Sequence, residues 1–556
     1  MRTRSLTTRL AAPLAALGLI LTGCSDSGSI TPGTSTIGST NDINPVDPSQ
    51  LREGGNLRLV LSSFPENFNV LQVDGNTESG GLVAGPTMPA PFVSNAAGEL
   101  SVDHNFFTDV QLTNTSPQQV TYTINPKAVW SDGSPITWED LRSQANALSG
   151  KDNAYLIAGL SGFDRVAKVE RGADDRQAIV TFDQPYGEWR GQFSPLYPKS
   201  VTGSPEAFNT ANRDGLTLSA GPFVITNIDR AQQRITLSRN PKWWGDTPKL
   251  DTITFSVLDH SAWLPAIQNN ELDIAYMSGI ENVTAARNAA NVVIRRAPEP
   301  AWSHLTFNGA PGSLLEDPQL RIAISKAIDR QGIVTASQNG VVDNPKPLNN
   351  HIFMAGQKGY QDNAAPISYD PAEAARMLDQ LGWKLNGDVR EKDGRRLEIR
   401  DVMYQQDAWV QTAQIVQQNL AAVGVKLTIQ TVPGTGLFKD VIDPGNFDIA
   451  QFSWQGSALP LGALQQIYYY DPNNLMGNKA RIGSPELNAL IDKTIAELDP
   501  DKAIELANQS DQMIFVEGYS IPLNQASGTY AVRDNLANYG AFGLATPDYT
   551  KVGFLK

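Results

Sequence analysis

Residues 10–21 are almost wholly apolar and follow Arg2, Arg4 and Arg9 with no acid among them. The run is too short to span a bilayer as a helix, and with its basic flank it reads as a secretory signal. Residues 25–50 are rich in Ser, Thr, Gly, Pro and Asp and carry no apolar period. Such a stretch is a flexible tether, with a root-mean-square reach of about 25–30 Å. Order begins at residues 55–61, GNLRLVL, an apolar strand. Downstream, Asp370 caps a predicted helix, Pro371 takes its first turn and Glu373 completes a capping box. Ala374, Leu378 and Leu381 form its buried stripe and Gly382 stops it. A strand pair turns at residues 392–394, Lys-Asp-Gly. The spacing then predicts a helix over 413–423, with Val416, Leu420 and Val423 on one face and Gly424 at its end, and an alternating strand over 425–432. In residues 317–330, Leu320, Ile324 and Ile328 share a helical face, and Arg321 and Asp329 read as a solvated or structural ion pair. Helices and strands intermingle to the C-terminus, which predicts a mixed α/β architecture. No short tandem repeat occurs, so a solenoid is not expected.

Cysteine occurs once, at Cys24, directly after the apolar run in the sequence Leu21-Thr22-Gly23-Cys24. Small residues followed by Cys at the cleavage point resemble the bacterial lipobox, in which the thiol takes a diacylglycerol. Residues 1–23 are then the signal peptide and 24–50 the tether of a lipoprotein. The mature chain keeps no other thiol, so neither a disulfide nor a cysteine metal site is available and stability must come from core burial. Loss of the three leader arginines takes the formal charge from −14 to about −17. A body this acidic is repelled by nucleic acid and by anionic headgroups, so lipid rather than charge holds it at the membrane. A two-chain anchor is sufficient for that.

Only four histidines occur (His104, His260, His304 and His351), and no two lie within ten residues of each other. Helical zinc spacing is therefore absent, as are a G-x-S-x-G elbow, a P-loop and a G-x-G-x-x-G after a strand. The chain reads as a binder rather than an enzyme, with no cofactor and no metal.

Six segments carry a resemblance. They are residues 122–141 (YTINPKAVWSDGSPITWEDL); 221–223 with 237–245 (GPF and LSRNPKWWG); 264–267 with 271–274 (LPAI and ELDI); 317–330 (DPQLRIAISKAIDR); 369–383 (YDPAEAARMLDQLGW); and 447–450 leading to Trp454 (FDIA). Each has a local structural reading: Asp132-Gly133 is a tight turn, and Trp243 and Trp244 are packing residues. In this order, however, they resemble the family 5 extracytoplasmic solute-binding proteins of peptide- and nickel-type ABC importers, in their actinobacterial lipoprotein form.

The resemblance implies an α/β, two-lobe periplasmic-binding-protein fold (type II, cluster C) with an extra accessory domain. Lobe I would comprise 51–85, 215–305 and 515–556, the accessory domain 86–214, and lobe III 306–514. Chain crossings would fall near 305–308 and 514–522, and the lobes would close on ligand by hinge motion. In peptide-binding members, an acid three residues after the buried Trp holds the ligand ammonium, and some carry a basic residue three before it. Here those positions are Ser457 and Gln451, which implies a neutral clamp suited to a peptide-like or hydroxyl-rich solute and disfavours nickel. Gln451, Trp454, Gln455, Gly456 and Ser457 are expected to line the cleft from one lobe, facing Ser63, Phe64 and Asn67 from the other. The implied function is a monomeric, lipid-anchored receptor on the outer face of the cytoplasmic membrane, held there by Cys24. It would deliver its small-molecule, peptide or glycolipid ligand to separate permease and ATPase subunits. Residues 348–353 (LNNHIF) and 357–363 (QKGYQDN) are also similar to the mycobacterial LpqW type, which keeps the scaffold for phosphatidylinositol-mannoside and lipoarabinomannan assembly rather than transport.

Overall fold

The computed structural model describes residues 41–433, 436–475 and 477–556; the signal segment, Cys24 and most of the expected tether lie outside the described residues. The described end of that tether is not a free linker but is docked on the body: Asp42 pairs with Ala541, the Asn44 side chain donates to the Leu536 carbonyl at 3.2 Å and the Val46 N–H to Asn538 at 2.8 Å. Among the described residues no helix is long and apolar enough to cross a membrane.

The strand Asn56–Leu61 alternates as its sequence predicts, turning Leu57, Leu59 and Leu61 into the lobe I core. It runs parallel to Thr252–Val257, and the sheet continues through Arg234–Arg239 to Phe223–Asp229. A second sheet of this lobe places Thr529–Arg533 between Ile274–Tyr276 and Val292–Arg296.

Between the first two strands of lobe I the chain builds the accessory lobe. Its antiparallel sheet runs in the order Phe107–Thr115, Gln118–Ile124, Gln177–Phe182, Val166–Arg171. The helix Trp138–Ala147 packs on it, opened by the Asp140 carboxylate, which accepts from the Thr137 N–H at 2.8 Å. Tyr122, Trp130, Leu141 and Val180 sit in one buried cluster there. Trp243 and Trp244 pack beside Phe106 at the margin of that core, with ring centroids 5.7 and 5.6 Å from it.

Lobe III is a five-stranded sheet in the order Lys426–Val432, Glu398–Tyr404, Ile449–Gln455, Ala301–Phe307, Ser520–Gln525. The helix Pro371–Gln380 is set by its sequence: the Asp370 side chain accepts from the Glu373 N–H at 2.8 Å, and Gly382 follows at φ +88°, where glycine alone is unstrained. Ala374 and Leu378 are fully buried, and Leu381 packs partly buried against the same core. The second helix runs Asp407–Ala421 and buries Val416 and Leu420. Truncating Leu378 or Leu420 to Ala would cost about 2–5 kcal/mol. Arg321 does not pair with Asp329. Its guanidinium is buried and donates to the carbonyls of Leu315, Glu316, Glu517 and Gly518, while Asp329 caps the helix Arg330–Gln338.

The strands fix where the chain crosses between lobes. Val292–Arg296 belongs to lobe I and Ala301–Phe307 to lobe III, so the first crossing is residues 297–300. The return crossing is residues 526–528, between Ser520–Gln525 and Thr529–Arg533. Both differ from the expected 305–308 and 514–522 because the strands there pair inside the lobe III sheet, Leu305 with Gln451 and Thr306 with Ser520. The two crossings lie against each other: Ala297 donates to Gly528 at 3.2 Å and Glu299 to Ala526 at 3.1 Å. Gly528 adopts φ +53°, and a Cβ there would stand 1.9 Å from the Ala297 oxygen. Only glycine permits that approach.

Candidate ligand cleft

The strand Ile449–Gln455 ends at the first crossing, with Trp454 paired opposite Trp302. Trp454 is half-buried, packs with Trp302, Leu348, Met354 and Tyr360, and lies parallel to the His304 imidazole at 6.0 Å. Gln455, Gly456 and Ser457 are exposed. The Gly456 N–H donates to the Pro300 carbonyl, and a Cβ there would fall 2.6 Å from that oxygen, so the segment is seated on the crossing itself. The Ser457 hydroxyl accepts from the Leu459 N–H at 3.0 Å and donates to the Leu459 carbonyl at 2.9 Å.

Gln451 stands elsewhere. Strand side chains alternate, and Gln451 falls on the face opposite Trp454. It is 0 % exposed, and its Nε2 donates to Asp401 Oδ2 at 2.5 Å. Burial pushes the Asp401 carboxyl up to about 8, with Gln451 opposing only part of the rise. Gln451 is thus one half of a core polar pair rather than a wall of the cleft.

On the lobe I side, Ser63 is exposed, its N–H donating to Ser79 Oγ at 3.3 Å. Phe64 is half-buried under the Arg230 guanidinium, 5.3 Å from the ring centre. Asn67 is 0 % exposed: it donates to the Asn209 carbonyl at 3.0 Å and accepts from Asn69, tying lobe I to the accessory lobe. Of the three, Ser63 is exposed, Phe64 half-buried and Asn67 sealed in the core.

Sequence reasoning missed Glu299, an acid on the first crossing between Pro298 and Pro300. Its carboxylate accepts from the Tyr530 hydroxyl, and burial raises its pKa, with Glu78 adding to the rise. The signal was an acid flanked by two prolines, a position where the extended backbone is held stiff.

A cavity of about 620 Å³ lies where both crossings meet lobe III. Arg296, the last residue of its lobe I strand, and Pro298, on the first crossing, line it on one side, Ala526 and Ser527 from the second crossing, and Arg330, Lys346, Leu348 and Tyr360 from lobe III. Its volume is in the range of small-ligand sites. Leu348 and Tyr360 belong to the packing around Trp454, which therefore backs the cavity without lining it. Asn349 Oδ1 and Gln525 Oε1, on two further lining residues, are buried without a hydrogen-bond partner among the described residues.

A second contact reaches lobe III from the accessory lobe. The Glu188 carboxylate accepts from the N–H groups of Leu461, at 2.7 Å, and Gly462. The Gly187 N–H donates to the Ile495 carbonyl at 2.7 Å, and Arg165 stands 3.9 Å from Asp492. Burial pushes Glu188 up to about 7 against those two donors. The accessory lobe joins the chain only through lobe I, so this bridge spans the gap between lobes.

The model of the bacterial extracellular solute-binding proteins, family 5, matches residues 109–475. The chain belongs to this family. Across 549 residues it is 52% identical to the oligopeptide-binding protein OppA of Mycobacterium tuberculosis (strain H37Rv), covering 97% of this chain and 92% of that one. It is 24% identical to the probable monoacyl phosphatidylinositol tetramannoside-binding protein LpqW of the same strain, over 82% of this chain and 75% of that one. Among solved structures, the periplasmic EDTA-binding protein EppA superposes with a TM-score of 0.86 at 23% identity, covering 95% of this chain and 100% of that one. The oligopeptide-binding protein AppA of Bacillus subtilis, in complex with a nonapeptide, gives 0.77 at 18%, covering 91% and 100%. The fold is therefore the two-lobe binding-protein fold of family 5.

Proposed function

We propose that this family 5 protein is the substrate-binding subunit of a peptide-type ABC importer. It captures a peptide-like solute between its lobes and presents it, as a monomer, to separate permease and ATPase chains. The observation that carries the reading is the 52% identity to OppA across 97% of the chain. The cavity supports it, because a ligand there touches both crossings and both lobes and so gains contacts that depend on their closure. A peptide-like solute is preferred to a hydroxyl-rich one because Gln451 is buried behind the sheet with its amide donating to Asp401, and the Ser457 hydroxyl is engaged by Leu459, so neither offers a free donor to a sugar hydroxyl.

Cys24 anchors the mature chain by lipid on the outer face of the cytoplasmic membrane. Cys24→Ser should release the protein from the membrane fraction; retention after high salt and carbonate washing would refute the anchor.

The function itself is tested by melting shifts with peptides, oligosaccharides and envelope glycolipids. A ligand at a hundredfold excess over its dissociation constant stabilises by about 2.7 kcal/mol. Peptides should shift the melting temperature and the other two classes should not. A shift with phosphatidylinositol mannosides alone would favour an LpqW-like role in glycolipid assembly.

A further inference from the structure

The helix Arg330–Gln338 belongs to lobe III. It packs on the strand Ser520–Gln525 and the helix Asp407–Ala421, and its Ile333 lies in that lobe's core. The chain beyond it leaves the lobe. Val341 and Val342 are buried in a lobe I cluster with Trp263, Leu272, Met277, Val283 and Val292. Gly340 comes so close to the lobe I helix Ile280–Arg287 that a Cβ there would stand 2.6 Å from Ile280 Cδ1. By Leu348 the chain is back in lobe III, its N–H donating to the Leu523 carbonyl at 2.9 Å. Residues 339–347 are thus an arm of lobe III whose two valines sit in the core of lobe I, beside the crossings but separate from them.

The arm's contact with lobe I is apolar. The N–H groups of Val341 and Val342 donate back to the Gln338 carbonyl, at 3.0 and 2.9 Å, and the Pro345 carbonyl accepts from Gln331 at 3.0 Å. Among the described residues no hydrogen bond joins residues 339–347 to lobe I. Asp343 adds a charge attraction towards Arg296. Such a contact gains from apolar burial and parts without leaving a buried polar group unmade. The root of the arm faces the cavity. Gln338 and Val342 line it, and Gln338 Nε2 donates to the Gln525 carbonyl at 3.1 Å, next to the second crossing.

Resting on the reading that the lobes close on a peptide, we propose that Val341 and Val342 are a latch between the lobes, seated when they close and withdrawn when they open. Seating takes the two valines out of water and so favours the closed form. A peptide in the cavity covers Val342 and Gln338 and holds the arm in its seat. The latch therefore slows release of the peptide and does not support the fold of the open chain.

Hydrogen exchange on the mature chain reads the latch directly, with and without a saturating pool of random pentapeptides. The amides of Val341 and Val342 should exchange roughly tenfold or more slowly with peptide, because the seat shields them. Val341 does not line the cavity, so Val341→Ala leaves the peptide's own contacts in place. By calorimetry it should weaken peptide binding roughly tenfold, through faster release, and leave the urea midpoint of the peptide-free chain unchanged. Equal exchange at these amides in both states would overturn the latch while leaving the peptide reading intact. So would native affinity in Val341→Ala, or a lowered urea midpoint in its peptide-free form, which would make the valines a permanent piece of core. Binding of no peptide by the native chain would overturn the peptide reading and the latch with it.

Discussion

Replacing Glu188 by Gln tests whether the accessory lobe helps to close the cleft. Its carboxylate now serves two lobe III N–H groups, those of Leu461 and Gly462. An amide offers one acceptor oxygen, so one of those donors would face an N–H. Leaving a buried donor unmade costs about 1–3 kcal/mol, or roughly 5- to 150-fold in the balance of closed and open forms. There is also a dependence on pH. In the bridge, burial raises the carboxyl from 4.5 to about 7. On opening it meets water and returns toward its ordinary range. The closed form therefore holds the proton more tightly. Its advantage is complete below pH ~4.5 and is lost as pH rises through about 7. A shift of this size is worth at most about 3 kcal/mol. Tyr186 beside the bridge is raised by the same burial and stays neutral across this window. Peptide affinity measured by calorimetry from pH 5 to 8 should fall by up to about a hundredfold in the native chain. Glu188→Gln should bind more weakly at pH 5 and show a flat profile. Wild-type affinity with the same slope in the variant would refute a closing role for this bridge.

Asp401, raised to about 8 by burial, makes a pH-dependent contribution to the fold itself: it is complete below the ordinary range near 3.8 and is lost as pH rises through about 8. The native melting temperature should therefore decline more steeply than that of Asp401→Asn between pH 6 and 9, and parallel curves would sink the assignment. Trp454→Ala removes the ring that packs on Trp302 and backs the cavity. It should cost about 2–4 kcal/mol in urea unfolding and weaken peptide binding, and a loss of neither would mean that the indole supports nothing. Gly528→Ala drives a Cβ against the Ala297 carbonyl. It should separate the crossings and abolish ligand-induced compaction in X-ray scattering; compaction equal to the native chain's would show that the contact is dispensable.

Elements whose signals are local were legible in the sequence. Asp370, Pro371 and Gly382 mark one helix within thirteen residues, and the structure places its cap and stop there; the expected capping box is only half made, because the Asp370 N–H donates to the Lys326 carbonyl and the Glu373 carboxylate turns to Arg376. The family motifs, read in order, likewise carried the fold. The site was less legible because its determinants are pairings across long separations. Gln451 looked like a cleft residue by its spacing from Trp454, but Asp401, fifty positions earlier, draws it into the core. Asn67 is claimed by Asn209, which no local pattern connects to it. The crossings fall elsewhere because residues 301–307 and 520–525 are strands of the lobe III sheet, and a strand's own sequence does not say which lobe's sheet it joins. Arg321 and Asp329 read as an ion pair in the sequence, yet the carbonyls that Arg321 serves at Glu517 and Gly518 lie 196 and 197 positions away.

The central claim is that this chain closes on a peptide. Its direct test is the radius of gyration of the mature chain by small-angle scattering, with and without a saturating pool of random pentapeptides. Closure around the hinge at residues 297–300 and 526–528 predicts a smaller radius with peptide and no change with phosphatidylinositol mannosides. An unchanged radius with peptide, or contraction with the glycolipid instead, would contradict it.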